Sequence, residues 1–184
     1  ETTTADSNDG DREAYVGLKG GFGEIKAGAL KSPYKYLGGV KYDELVTTGL
    51  QARDSNGAFG GAMFSAVGNM SNVFGANSFM TDSLGYKGKF GAFTAWAVYQ
   101  FAEALSTDTT GVDDNLVLGA KFKIGKMGEV VAAHAIQDSN ATGTDGTNTK
   151  IGTKWKFGKH NVRAQYETHS DDQANRDAEA FFIG

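Results

Sequence analysis

Three histidines, together with many serines and aspartates, are the residues of this chain suited to acid–base or nucleophilic chemistry. His134 lies in the middle of an alternating run, His160 in a tight turn and His169 near the end of another run. A hydrolytic triad requires a nucleophile, a base and an orienting acid within hydrogen-bond reach. No spacing around these histidines favours that arrangement, so the sequence predicts a protein that is not an enzyme.

Metal and nucleic-acid sites are equally disfavoured. When Gly10 of the acidic stretch DSNDGDRE is set at the glycine of a calcium-loop pattern, Ala5 falls at the first ligand position and Ser7 at the third, so the pattern fails. The chain has no cysteine and a net charge of −4. Its basic residues alternate with glycine and apolar residues while the connecting segments are acidic, which argues against nucleic acid as a partner. We expect no metal and no cofactor.

The elements that position the charged residues are β-strands. In residues 84–101, LGYKGKFGAFTAWAVYQF, side-chain character alternates with a period of two, which indicates β structure. Eleven strands are predicted, at residues 12–20, 22–29, 45–54, 58–67, 81–88, 90–102, 114–124, 128–137, 149–157, 160–168 and 177–184. They form a single domain over residues 1–184.

Turns and loops alternate regularly along the chain. Short turns are predicted at Gly20-Gly21, Asn56-Gly57, Gly88-Lys89, Gly125-Lys126 and Gly158-Lys159, and long polar connections lie between the hairpins. The hairpin repeats at intervals of about 32 to 37 residues. This rhythm is typical of a transmembrane up-and-down antiparallel β-barrel, with short turns on one membrane side and long loops on the other.

Sorting the strands by parity separates an apolar row from a charged row. The apolar row contains Ala14, Val16, Leu18, Ile25, Ala27, Ala29, Val46, Leu50, Ala52, Ala62, Phe64, Ala66, Leu116, Leu118, Ala120, Phe122, Ile151, Trp155, Phe157, Val162, Ala164 and Tyr166. The charged row contains Lys19, Lys26, Arg53, Lys87, Lys89, Lys121, Lys123, Lys150, Lys154, Lys156 and Arg163, with Glu13, Glu24, Glu167 and Glu179. The parity of the strand at 128–137 is ambiguous.

In a barrel the charged row must line water. An Arg or Lys at the bilayer midplane costs about 2 to 4 kcal/mol, so the apolar row would face lipid. Because basic residues outnumber acidic ones in the charged row, the interior would prefer anions. Aromatic residues near strand ends fit the interfacial girdles of such barrels: Tyr15, Phe22, Tyr86, Phe90, Tyr99, Phe101, Phe122, Trp155, Phe157 and Tyr166.

A different class of protein shows the same alternation. An antiparallel sheet with one wet face also alternates, so a soluble or surface-attached β-sheet binding protein, such as an adhesin, is the second hypothesis. A third is a barrel that serves as a structural anchor.

The stretch Arg12 to Gly28, REAYVGLKGGFGEIKAG, resembles a recurring pair of strands in the general porins of Gram-negative bacteria. The segments LGYKGKFGAFTAWAVYQ and LVLGAKFKIGK extend the resemblance over nearly the whole chain. The resemblance implies an outer-membrane barrel of sixteen strands, assembled as a homotrimer, through which small hydrophilic solutes and ions diffuse. The expected partners are the lipid bilayer and lipopolysaccharide, two further copies of the chain, and those solutes.

The resemblance also implies a constriction loop. By position, residues 30–45 correspond to the family's third long loop, which folds into the lumen, with Asp43 and Glu44 as acidic candidates and Lys31, Lys35 and Lys41 as basic ones. The expected lining of the pore is Lys19, Glu24, Lys26, Arg53, Lys87, Lys121, Lys123, Lys154, Lys156, Arg163 and Glu167.

This sequence departs from the family pattern at its ends and before the inward loop. The strand entering the loop often ends in Gly-Arg in the family, whereas here it ends Gly28-Ala29-Leu30, so that basic position does not carry over. Eleven strands are fewer than sixteen, and the sequence ends in FFIG rather than in an aromatic residue. The expectation is a fragment that lacks opening strands and a few C-terminal residues.

Overall fold

The computed structural model describes residues 13–38, 42, 79–101, 114–138, 146–171 and 178–184. These residues form β1 (Ala14–Gly20), β2 (Gly23–Lys31), α1 (Pro33–Tyr36), β3 (Phe79–Phe90), β4 (Phe93–Gln100), β5 (Asp114–Ile124), β6 (Gly128–Asp138), β7 (Gly146–Phe157), β8 (His160–Asp171) and β9 (Ala178–Ile183). In this part of the chain no helix is long and apolar enough to cross a membrane.

The strands form one antiparallel sheet in which each strand pairs with the next along the chain, from β1 to β9. This is the predicted up-and-down order, and nine of the predicted strands are present with ends shifted by a few residues. Strands β1 and β9 stand at the two ends of the order, so the sheet is open within the described residues.

The turn predicted at Gly88-Lys89 is wrong. Strand β3 continues to Phe90, Lys89 pairs with Thr94, and the turn lies at residues 91 and 92. Gly91 has φ of 60°, a backbone conformation that glycine adopts without steric cost. The conformational freedom of Gly91 therefore decides the position of the turn.

The strands predicted at 45–54 and 58–67 lie outside the described residues. Strand β2 pairs directly with β3, from Glu24 opposite Lys87 to Lys31 opposite Phe79. Alternation within a segment indicates that the segment can form a β-strand. Which strand it pairs with depends on contacts between residues that are distant in sequence.

The register aligns the side chains into rows across the sheet. One row runs through residues directly opposite each other in neighbouring strands: Lys19, Glu24, Lys87, Trp96, Gly119, Ala133, Lys150 and Glu167. Directly opposed residues project from the same side of a sheet. We call this side the inner face, because residues 32–38 pack on it, and the other side the outer face.

The outer face is apolar and open. Val16, Leu18, Ile25, Leu118, Phe122, Ile151, Phe157, Val162 and Tyr166, all members of the predicted apolar row, are exposed large side chains. Ile151, for example, is 55% exposed, whereas Lys150 on the inner face is 1% exposed. The separation of the two rows predicted from parity is therefore present in the sheet.

Three assignments are resolved or corrected by the register. The ambiguous strand β6 directs Val131, Ala133 and Ala135 to the inner face, and places His134 on the outer face beside Thr149. Glu179 was expected in the charged row, but it pairs with Thr168 on the outer face. Tyr15 was expected in an outer aromatic girdle, but it lies on the inner face with the Lys26 Nζ 3.9 Å from its ring centre.

A compact apolar cluster lies on the inner face, under residues 32–38. It consists of Leu30, Tyr34, Met80, Val98, Val117, Ala133 and Ala135. The pairing of β2 and β3 shifts register between Gly28 and Leu30, and Asp82 opposite this bulge has φ of 48°. Such a bulge changes the side to which later residues point, and it lets Met80 join the cluster.

Candidate pore-lining site

The chain leaves the sheet after β2 and crosses the inner face. Ser32 precedes α1, Pro33 occupies its first turn, and the Leu37 N–H donates to the Pro33 carbonyl at 2.9 Å. A proline suits this position because a helix's first N–H groups have no partner within the helix. Helix α1 packs on β4, β5 and β6. We call residues 32–38 together with Tyr42 the inner segment.

Glycines on the inner face make room for the inner segment. A Cβ added at Gly119 would collide with the Leu37 side chain and approach Pro33 Cβ to 3.0 Å, and one added at Gly152 would lie 3.1 Å from Tyr42 Cε2. A glycine inside a strand often marks close approach of another part of the chain. These glycines interrupt the charged row. Their presence in the sequence therefore indicates where the inner segment lies on the sheet.

Tyr34 anchors the inner segment to β7 and β8. Its hydroxyl donates to the Glu167 carboxylate at 3.1 Å, and the Lys150 Nζ lies 4.4 Å from the centre of its ring. The Gln165 amide also donates to Glu167. All four residues are buried. A buried charge is tolerable when hydrogen bonds and opposite charges surround it, and the tyrosine supplies one of these contacts.

Tyr42 anchors the far end of the inner segment. Its hydroxyl donates to Glu129 at 3.3 Å, and Arg163 Nη1 donates to the Tyr42 carbonyl at 3.4 Å. Burial and the neighbouring Glu129 carboxylate raise the pKa of Tyr42 above its ordinary value, and the Arg163 charge opposes this only in part. The hydroxyl therefore stays protonated and remains a donor.

The predicted lining residues share the inner face. Lys123, Glu129, Lys154 and Arg163 are directly opposed in successive strands and form a second charged row. Lys121 lies opposite Val131 and Lys156 opposite Asn161, which places both on the same face. Together with the first row, this brings onto one face the predicted residues Lys19, Glu24, Lys26, Lys87, Lys121, Lys123, Lys154, Lys156, Arg163 and Glu167.

The predicted loop residues separate into three situations. Lys31 forms an ion pair with Glu13, at 2.6 Å from Nζ to Oε2. Lys35 is buried within α1. Lys41, Asp43 and Glu44 lie outside the described residues, as does Arg53, which was predicted to line the pore. The sequence reasoning missed Tyr34, Tyr42, Glu129 and Gln165, which hold the inner segment on the wall.

The inner face combines charged side chains with a segment that folds over it. Among the described residues, no group of three or more His, Asp or Glu side chains is placed to hold a metal ion. The exposed and half-exposed lysines of the inner face instead present ammonium groups beside a folded-in segment, with an apolar surface on the far side of the sheet. This combination defines a membrane channel wall.

Comparison with known proteins agrees with this class. A family model described as Gram-negative porin matches residues 1–184, so the chain belongs to the Gram-negative porins. It is therefore an outer-membrane porin with an all-β, antiparallel fold, located in the bacterial outer membrane. Membership of this family favours the porin hypothesis over the second one, a soluble or surface-attached β-sheet binding protein.

Solved structures that match the chain are distant. One is OmpTdeltaL8, a loop L8 deletion mutant of the Vibrio cholerae outer membrane protein OmpT, with 15% identity over 94% of this chain and 78% of that chain, and a TM-score of 0.30. Another is in-vitro folded OmpT of Vibrio cholerae in a trimer form, with 15% identity, coverage of 92% and 74%, and a TM-score of 0.25. No curated protein matches the chain.

Proposed function

We propose that this porin forms a passive, water-filled channel through which small hydrophilic solutes and ions diffuse, with a preference for anions. No bond is made or broken in this function, so the protein acts without catalysis. The observation that supports it is a sheet with lysines on the face that receives a folded-in segment and apolar side chains on the other.

The preference for anions follows from the charges of the inner face. The described strands direct Lys19, Lys26, Lys87, Lys89, Lys121, Lys123, Lys150, Lys154, Lys156 and Arg163 to this face, against Glu24, Glu129 and Glu167. A low-dielectric wall concentrates the field of such charges in a narrow aqueous passage. Chloride would therefore be enriched relative to potassium.

The constriction belongs to the same proposal. The inner segment leaves the wall after Lys31 and lies across the inner face, which supports a narrowing formed by the loop that carries Lys31, Lys35, Lys41, Asp43 and Glu44. Assembly as a homotrimer in contact with bilayer and lipopolysaccharide is also proposed. Detergent extraction followed by electrophoresis should then give an oligomer that dissociates on heating.

The selectivity is tested by the reversal potential of the complete porin in a planar bilayer under a KCl gradient. We expect a chloride-selective potential, and about a twofold or larger fall in the chloride-to-potassium permeability ratio for the Lys123→Gln, Lys154→Gln double variant, because two inner charges are removed. The matched control is Lys126→Gln, Lys159→Gln, which removes two exposed lysines in turns. A cation-selective potential, or an equal fall in the control, would contradict the proposal.

A further inference from the structure

The hairpin turns form one edge of the sheet, at which neighbouring hairpins are joined. The Lys123 N–H donates to the Ala92 carbonyl at 3.0 Å, so the turn between β3 and β4 is bonded to β5. The Lys156 N–H donates to the Met127 carbonyl at 2.8 Å, which bonds the turn between β5 and β6 to β7. Because adjacent strands lie about 4.8 Å apart, successive turns repeat about every 10 Å. We call this edge the turn rim.

Lysines are the charged side chains of the turn rim. The four described turns and their flanking residues are 19–23, 89–93, 123–128 and 156–160, and none of these stretches contains an Asp or a Glu. Within the part of the chain that the structure describes, none of their lysines forms an ion pair. All of these lysines are exposed, so a ligand from outside the chain can reach them: Lys19, Lys89, Lys123, Lys126, Lys156 and Lys159.

Lys126 and Lys159 occupy the tips of two successive turns. Each follows a glycine with a positive φ, 55° at Gly125 and 60° at Gly158. The other rim lysines belong to strands, where the register directs them to the inner face. A turn residue has no such constraint, because it is not paired in the sheet. The flexible side chains of these two lysines can therefore extend along the membrane surface.

Exposed apolar side chains lie next to these two lysines. Met127 directly follows Lys126, Phe157 lies two residues before Lys159, and both apolar side chains are exposed. Phe122, on the outer face near the end of β5, is exposed as well. In outer-membrane barrels such aromatic residues mark the boundary between the hydrocarbon and the lipid headgroups. The ammonium groups at the tips of the turns therefore lie at the depth of the headgroups.

The connections at the opposite ends of these strands have the opposite charge. Residues 102–113 join β4 to β5 and residues 139–145 join β6 to β7. These connections contain no Lys or Arg, but they contain Glu103, Asp108, Asp113 and Asp145. Lipid phosphates are therefore attracted by the turn rim and repelled by these connections.

We propose that the turn rim binds anionic phospholipids of the leaflet on the turn side, through contacts of Lys126 and Lys159 with the lipid phosphates. The acyl chains of the same lipids would lie against Phe122 and Phe157. A free anion contacts only the ammonium groups, and in a zwitterionic lipid the headgroup's own cation offsets the phosphate, so an anionic lipid gains most from both contacts. This inference extends the outer-membrane location of the chain and does not depend on the proposed channel function.

Trp155 allows the bound lipid to be detected. It lies opposite Gly128, two residues after Lys126, and it precedes Lys159 by four residues. The register places it on the outer face, opposite Val162. Lipids with brominated acyl chains quench tryptophan fluorescence on contact. The protein is reconstituted in phosphatidylcholine vesicles that contain a small fraction of brominated phosphatidylglycerol or brominated phosphatidylcholine, and the part of the quenching that Trp155→Phe abolishes is measured.

We expect phosphatidylglycerol to be preferred over phosphatidylcholine at Trp155 by about fivefold or more, since one lysine near an anionic membrane surface contributes about this factor. The Lys126→Gln, Lys159→Gln double variant should lose most of this preference. The matched control is Lys121→Gln, Lys154→Gln, which removes two lysines from the inner face and should keep it. Equal quenching by the two lipids in the unmodified protein, an unchanged preference in the rim variant, or an equal loss in the control would overturn the proposal.

The salt dependence tests the proposal on the unmodified protein, so it does not rely on the folding of a variant. The preference should largely disappear between about 0.1 M and about 1 M KCl, because the Debye length falls from about 10 Å to about 3 Å. A preference that persists at the higher concentration would show that the lysine charges do not cause it, and the site would be refuted.

Two soluble probes distinguish the lipid from other anions. Inorganic phosphate and polyglutamate, added at constant ionic strength, should leave the quenching unchanged, because neither has an apolar part to contact Phe122 and Phe157. Displacement of the lipid by either probe would show that the turn rim binds a free anion or an acidic polymer instead, which refutes the assignment to lipid. None of these measurements reads conductance, so a failure here is distinct from a failure of the channel proposal.

Discussion

Two tyrosine hydroxyls connect the inner segment to carboxylates on the sheet. Tyr34 donates to Glu167, and Tyr42 donates to Glu129. Both acceptors lie among basic residues, with Lys150 beside Tyr34 and Arg163 beside Tyr42. Removal of one partner from a buried hydrogen bond to a charged group costs more than the bond contributes, since the remaining group is left desolvated. Each anchor therefore restrains the inner segment by pairing a polar group of the segment with a charged group of the sheet.

The residue scale yields a prediction for the pH dependence of stability. Because the pKa of Tyr42 is raised in the folded state, only the unfolded chain ionises this residue as the pH rises above about 10, the ordinary tyrosine value. The free energy of unfolding should therefore fall with rising pH above that value. Tyr42→Phe should show a shallower fall, measured by denaturant titration in lipid vesicles.

The control for this prediction is Leu37→Ala, which should lower stability by about 2 to 5 kcal/mol through the loss of buried apolar contact while keeping the alkaline dependence. If Tyr42→Phe and the unmodified chain lost stability in parallel above pH 10, the raised pKa would have no role in stability.

At the scale of elements, the position of the inner segment depends on glycines in two strands. Gly119 in β5 and Gly152 in β7 lie below Leu37 and Tyr42, respectively. Any larger side chain at these positions would occupy volume that the segment now fills. These positions thus form a shallow groove across the charged inner face, and the inner segment lies in this groove.

Gly119→Val should displace α1, because even its Cβ would overlap Leu37. Overpacking of this kind costs about 1 to 3 kcal/mol, enough to raise the population of the detached segment roughly 5- to 140-fold. The chain has no cysteine, so a single Tyr36→Cys label reports on the segment, and maleimide should react with it correspondingly faster in the valine variant.

The matched control is Ala120→Val in the same strand, with its side chain on the outer face. Its labelling rate should equal that of the Tyr36→Cys parent. A Gly119→Val variant that labels no faster than this control would show that Gly119 does not determine the position of α1.

At the scale of the whole molecule, the sheet exposes apolar side chains and buries charged ones, which is the reverse of the arrangement in a soluble protein. Its outer face carries exposed Leu18, Phe122 and Ile151, and its inner face buries Lys150 and Arg163 beneath the inner segment. Hydrocarbon solvates the outer side chains, while on the inner face Lys150 lies against the Tyr34 ring and opposite Glu167, and Arg163 donates to the Tyr42 carbonyl. Neither face would be stable if the two environments were exchanged.

Ile151→Arg tests this orientation. An arginine that faces the bilayer near its midplane should reduce the free energy of folding into vesicles by about 2 to 4 kcal/mol. Thr94→Arg, on the inner face opposite Lys89 and Lys121, should change it by less than about 1 kcal/mol, because water solvates the charge. Equal costs for the two variants would contradict the assignment of the faces.

Much of this protein follows from residue preferences that act locally. Alternation predicts strands, and the cost of a charge in hydrocarbon assigns Lys121, Lys154 and Arg163 to the inner face. Both inferences use only the nature of each side chain and the period of two along a strand. The glycines at 119 and 152 are also informative, since a glycine inside a strand often marks the place where another part of the chain approaches closely.

The tertiary structure alone decided which distant groups meet. Tyr34 and its acceptor Glu167 are 133 positions apart, and Glu24 of β2 lies opposite Lys87 of β3. Alternation is a property of one segment, whereas pairing and hydrogen bonding depend on the geometry of the whole sheet and on how the inner segment fills the space above it. For this reason the sequence determined the two faces, and only the folded chain determined the anchors of the segment that lies between them.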